Sequence, residues 1–146
     1  MSAGLLLDAP LRDEERRATP AEDWIAIATT ATEAGCAVLL LSAGPGRPDP
    51  WIAAAVLSEA LPELALTIAL QAGAILPVAA ALRAQSLQSL RGGRLALAVE
   101  PDALGAEASR RGAALNRDHR RARRLEFLAI LHTFWVGAGP LDHQGA

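Results

Sequence analysis

The sequence predicts an α/β protein in which a parallel sheet of four buried strands is covered by helices. Three observations carry this. Four short apolar runs, at residues 5–7, 37–41, 64–70 and 95–99, are continuous rather than alternating, as strands buried on both faces are. Each run is followed by a segment with helical apolar spacing or a recognisable helix start. The strand–helix unit recurs about every 30 residues, the length of a βα unit with a right-handed crossover. Such units build either an open doubly wound sheet or a (β/α)₈ barrel of about 250 residues, of which four units form half. Periodicity leaves these two architectures open.

The elements follow in order. Leu5-Leu6-Leu7 reads as the first strand, and the polar residues from Arg12 to Arg17 as loop. Thr19-Pro20-Ala21-Glu22 starts the first helix with a capping threonine, a proline at the first helical position and an acidic residue to complete a capping box. Trp24, Ile27, Ala28 and Ala31 form its apolar face, and Gly35 ends it. After the strand at 37–41, the Gly- and Pro-rich residues 42–48 are loop. Asp49-Pro50-Trp51 restarts a helix that runs to about residue 60, with Asp49 as its cap. Pro77 opens the third helix, and Gly92-Gly93 stops it. A loop from Glu100 to about residue 115 leads to a long helix over 116–135.

Composition bounds the function. The 146 residues argue for a single domain, 1–146, and a mean hydropathy of +0.22 supports a buried core. All 14 basic residues are arginine, half of them between Arg110 and Arg124, yet the net charge is only −2. No overall field draws this chain to nucleic acid or to a membrane surface. The one cysteine, Cys36, excludes an intrachain disulfide and suits a reducing cytoplasm. The N-terminus lacks the basic segment and the apolar length of a signal peptide, and no window has the roughly 18 apolar residues of a spanning helix. His119, His132 and His143 lack metal-ligand spacing, so no metal site is expected. Gly92-Gly93 precedes a strand instead of opening a helix, so it reads as helix termination and not as a phosphate loop. Arg117, Arg120, Arg121 and Arg124 form one stripe of the last helix, opposed by an apolar set of Leu125, Leu128, Leu131 and Trp135.

One stretch is more specific. Ser89-Leu90-Arg91-Gly92-Gly93-Arg94 enters the strand Leu95-Ala96-Leu97-Ala98-Val99; Asp118-His119-Arg120-Arg121 then precedes Leu125-Glu126-Phe127-Leu128 and the closing Phe134-Trp135-Val136-Gly137. With Asp49-Pro50-Trp51 and the run Leu66 to Gln71 before Pro77, this resembles the bacterial-luciferase-like flavin monooxygenases, in particular their alkanesulfonate monooxygenase-like branch. The resemblance covers nearly the whole chain. It favours the barrel and implies that the chain corresponds to the N-terminal half of one, in TIM-barrel-type (β/α) units.

The resemblance also implies a function. Such a chain is a two-component monooxygenase, taking reduced FMN (or deazaflavin) from a separate flavin reductase and using oxygen on a small organic substrate. The cofactor would lie at the C-terminal ends of the strands, at Ser42, Gln71 and Glu100, with Arg121 at the position where the family has a tyrosine. Asp8 ends the first strand, and Pro101-Asp102 follow Glu100 at the fourth. An acidic strand end differs from the small polar residue and glycine usual in the family. The alternative reading is therefore a catalytically inactive relative serving as a structural or regulatory subunit. Half a barrel leaves sheet edges open, which implies a homo-oligomer or a chain supplying the second half-barrel.

Overall fold

The computed structural model describes residues 3–6, 21–44, 47–100 and 117–137. The elements alternate as predicted: β1 (Ala3–Leu6), α1 (Ala21–Glu33), β2 (Cys36–Ser42), α2 (Pro50–Ala60), β3 (Ala65–Gln71), α3 (Pro77–Arg91), β4 (Leu95–Glu100) and α4 (Arg117–Trp135). The Thr19-Pro20 helix start, Asp8, Pro101, Asp102, Arg110 and His143 lie outside the described residues. The sheet order is β1-β2-β3-β4. β1 pairs with β2, and β2 with β3, in parallel. β4 adds beside β3, where the Leu66 N–H donates to the Arg94 carbonyl at 3.0 Å. Sequential order in a parallel sheet is the arrangement of a barrel segment, not of a doubly wound sheet, which reverses direction in its middle.

The chain divides into two compact units, Met1–Ala69 with Ser86–Ala98, and Leu70–Gln85 with Val99–Ala146. In the first unit α1 packs on α2 and on β2. Its core is Ala28 and Ala31 from α1, Leu39 and Leu41 from β2, Ala53, Ala54 and Leu57 from α2, and Leu66 and Ile68 from β3, all buried. The small residues let the helices lie close to the strands. Leu39, Leu57, Leu66 and Ile68 are the largest side chains removed almost wholly from solvent. Each contributes about 1.5–3 kcal/mol of burial.

The register divides this unit's sheet into two unlike faces. Leu39 pairs with Leu66 and Leu41 with Ile68, and all four are buried. The alternate pairs, Val38 with Ala65 and Leu40 with Thr67, point to the other face and are only half-buried. The continuous apolar runs predict burial on both sides, whereas the described residues cover one side and leave the other partly open.

Helix ends explain themselves locally. Asp49 Oδ1 accepts from the N–H groups of Trp51 and Ile52 at 2.8 and 3.2 Å, with Pro50 in the first turn. At the end of α3, Gly92 and Gly93 take φ of +56° and +94°, and the Gly93 N–H reaches back to the Gln88 carbonyl at 3.4 Å. This is a Schellman-type stop, and it requires glycine because a Cβ disfavours that backbone.

Arg91, the last residue of α3, is 3% exposed. Its Nη1 donates to Ser58 Oγ at 2.9 Å, its Nη2 donates to the Leu64 carbonyl, and Ser58 in turn donates to the Ala54 carbonyl at 2.5 Å. Burial, and secondarily repulsion from Arg94, hold its pKa below the ordinary arginine value. One guanidinium thus ties the end of α3 to α2 and to the entry of β3. Arg94 beside it pairs with Glu63 at 2.8 Å on the surface, where such a bridge contributes little.

In the second unit the buried face of α4 carries Phe127 and Leu131, with Ile130 and Phe134 half-buried. The apolar set expected from the sequence is only partly right: Leu131 is buried and Trp135 half-buried, but Leu125 and Leu128 are 55% and 40% exposed. Steps of three residues drift backwards around a helix, so Leu125 and Leu131 lie about 120° apart at 3.6 residues per turn. The i, i+3, i+4, i+7 set Phe127, Ile130, Leu131 and Phe134 is the true stripe. Gln85 Nε2 of α3 donates to the Phe134 carbonyl at 3.0 Å, joining α3 to the end of α4.

Candidate functional site at the strand ends

In a parallel sheet with covering helices, ligands meet the C-terminal ends of the strands, because the βα loops there can vary without disturbing the core. Ser42, Gln71 and Glu100 are the last residues of β2, β3 and β4. All three are half-buried. Ser42 belongs to the first compact unit, and Gln71 and Glu100 to the second.

Ser42 is already engaged. Its Oγ accepts from Arg47 Nη1 at 2.6 Å. The Arg47 side chain folds back over the β2–α2 loop, where its Cδ would stand 3.3 Å from a Cβ at position 44. The absence of a side chain at Gly44 makes that approach possible. Arg47 is the functional-type residue that sequence reasoning passed over. The signal was the loop Ala43-Gly44-Pro45-Gly46-Arg47-Pro48, in which a lone cation stands among glycines and prolines directly after a strand.

Gln71 is followed by a tight turn, with the Ala74 N–H donating to the Gln71 carbonyl at 2.9 Å. Gln71 makes a further interaction in the structure as well. Arg121 stands exposed on α4. The face of α4 that meets the β3–α3 loop carries Arg123, Glu126, Phe127 and Ile130 instead. Two residues along an α-helix turn about 200°, so Arg121 and Arg123 point to nearly opposite sides. Cys36 is half-buried at the start of β2, and His132 is exposed in the last turn of α4. Among the described residues, no three His, Cys, Asp or Glu side chains stand together as metal ligands. No described helix is long and apolar enough to cross a membrane.

Parallel βα units in sequential order, with Ser42, Gln71 and Glu100 closing β2, β3 and β4, define a segment of a (β/α)-barrel. Across residues 1–146 the sequence matches the family model of luciferase-like monooxygenases, and the chain belongs to that family. Solved structures show the same fold. The monooxygenase RslO1 from Streptomyces bottropensis superposes with a TM-score of 0.83 at 21% identity, over 100% of this chain and 46% of its own. The oxygenating constituent of 3,6-diketocamphane monooxygenase from Pseudomonas putida, solved in complex with FMN, gives 0.79 at 20% identity, over 99% and 42%. EDTA monooxygenase from Chelativorans sp. BNC1 gives 0.68 at 25% identity, over 79% and 31%. The chain therefore spans between about a third and a half of the structures it matches.

Proposed function

We propose that this chain forms the N-terminal half of a flavin-dependent monooxygenase barrel, working in the cytoplasm as the oxygenating component of a two-component system. Reduced FMN, or a deazaflavin, would come from a separate flavin reductase, and the substrate would be a small organic molecule. The observation that carries this reading is the family match along the whole chain; FMN in one fold neighbour supports the choice of cofactor.

The pyrimidine edge of a flavin offers carbonyl acceptors and one N–H. In the second unit the Gln71 amide at the end of β3 is a donor of the kind those carbonyls take, and Glu100 at the end of β4 an acceptor; in the first unit, taken by itself, Arg47 is a donor held over the β2 end by Ser42. Bound there, reduced flavin supplies the electrons that activate oxygen. The residues of this chain bind and orient it, and the apolar strands around them exclude water. Glu100 is the dissonant member, since its charge repels an anionic reduced ring and favours the oxidised one.

The partner follows from the half-open sheet face. The remaining strands would come from a second copy of this chain or from a segment carrying the second half-barrel, closing over Val38, Leu40 and Thr67. The test is an anaerobic titration with reduced FMN, and an aerobic one with oxidised FMN, read by flavin fluorescence. It is run on this chain alone and with the C-terminal half of a related barrel added. Saturable binding that strengthens when the second half is present supports the reading. No binding of either flavin form in either preparation removes the enzyme reading and leaves the inactive structural or regulatory subunit. Glu100→Gln is expected to improve reduced-flavin affinity by about tenfold, the effect of removing one repulsive charge worth about 1.4 kcal/mol. An unchanged ratio of reduced to oxidised affinity would place Glu100 away from the ring.

A further inference from the structure

We propose that the second unit carries, next to the end of β3, a binding site for a small monocarboxylate with an apolar tail, built from α4 and the loop between β3 and α3. These elements border an open cleft of about 340 Å³, lined among others by Gly73, Leu76, Arg123, Glu126, Phe127 and Ile130. That volume falls at the small end of the range of about 300–1,000 Å³ usual for small-molecule clefts.

The lining is divided by chemistry. Leu76, Phe127 and Ile130 form the apolar wall, and Leu76 is 74% exposed there, a large apolar side chain held open to solvent. Arg123 forms the polar end. Its Nη1, Cζ and Nη2 would stand 3.5, 3.6 and 3.6 Å from a Cβ on Gly73. Three guanidinium atoms at one distance mean that the plane lies flat over the glycine. The N–H bonds lie in that plane, so they run alongside the loop and are not spent on its carbonyls. No ion pair or hydrogen bond occupies Arg123 among the described residues, whereas Glu126 is engaged.

An uncommitted planar fork of donors beside an apolar wall fits a carboxylate, which it grips with two parallel hydrogen bonds, and a hydrocarbon tail. The neighbouring Glu126 charge reduces the local positive potential, which selects a monoanion over a dianion. Neither Gln71 nor Glu100 lines the cleft, but Ala72, the residue after Gln71, does, so the site adjoins the end of β3 and is told from the flavin site by experiment.

The experiment follows backbone amide resonances of the full chain during titration with sodium octanoate, with octanol and inorganic phosphate in parallel. No flavin is present, so the outcome is separate from that of the flavin titration. Octanoate is expected to shift Gly73, Ala74 and Phe127 saturably, while octanol and phosphate bind at least about tenfold more weakly, the loss of one charge-assisted contact or of the apolar tail. Arg123→Gln should weaken octanoate by about tenfold, and Arg121→Gln, the same charge change on the other side of α4, should leave it unchanged. Octanoate shifts confined to the open sheet face, equal affinity for phosphate, or equal loss in both variants would overturn the proposal.

Discussion

At the residue scale, Arg91 shows how a motif position acquires a role from its surroundings. It occupies the last helical place before Gly92-Gly93, where a cation complements the helix C-terminus. The structure adds burial, the Ser58 hydroxyl and the Leu64 carbonyl. Removing the guanidinium leaves those two acceptors without their donor, at a cost of about 1–3 kcal/mol each when buried. Arg91→Ala is therefore expected to lower stability by about 2–4 kcal/mol in urea unfolding. Arg91→Met, which removes the same hydrogen bonds and charge but keeps the side-chain volume, should cost clearly less, because it leaves no cavity at the end of α3. Equal losses in the two variants would show that the hydrogen bonds, not packing, set the contribution.

At the element scale, helix ends and helix faces obey different rules. The start of α2 is fixed by Asp49 alone, through two N–H bonds to one carboxylate oxygen. Asp49→Ala should cost about 1 kcal/mol, and Asp49→Asn much less, both readable in thermal unfolding. The face of α4 is fixed by what it meets. Phe127 is 3% exposed and Leu125 is 55% exposed, although both sit in the same apolar run. Phe127→Ala should cost about 3–5 kcal/mol, and Leu125→Gln should stay within about 0.5 kcal/mol. A large loss at Leu125 would mean that another element covers that face in solution.

At the scale of the whole molecule, the question is what covers the second face of the sheet. Within the first unit, one face is closed by helices and the other exposes Val38, Leu40 and Thr67 in part. If strands of a second half-barrel close over this face, Thr67→Lys places a charge in their path without touching the buried pairs Leu39–Leu66 and Leu41–Ile68. The expected result is loss of the assembled species by light scattering, with an unchanged far-ultraviolet spectrum of the chain itself. An assembly that tolerates the lysine would mean that the contact lies elsewhere, on the exposed faces of the helices.

Much of this was legible beforehand, and the particular residues show why. The order of eight elements, the Asp49 cap and the Gly92-Gly93 stop depend on interactions within about five residues, and each has a local chemical signature. The strand-end positions Ser42, Gln71 and Glu100 could be named because a strand's last residue is a local matter too. The family could be named because its motifs lie in order along one chain. What the residues do to one another was not legible. Ser42 and Arg47 are five apart, yet their bond depends on a loop path that Gly44 leaves open. Arg91 meets Ser58 and Leu64 across 33 and 27 residues, and Arg123 of α4 lies over Gly73 of the β3–α3 loop. Those pairings arise when packing of the apolar faces brings distant segments together, and no local pattern encodes them. The sequence by itself determined the units, their order and their lineage. Only the tertiary structure decided which side of α4 is core and which arginines are held, because burial belongs to the assembled chain and not to any segment of it.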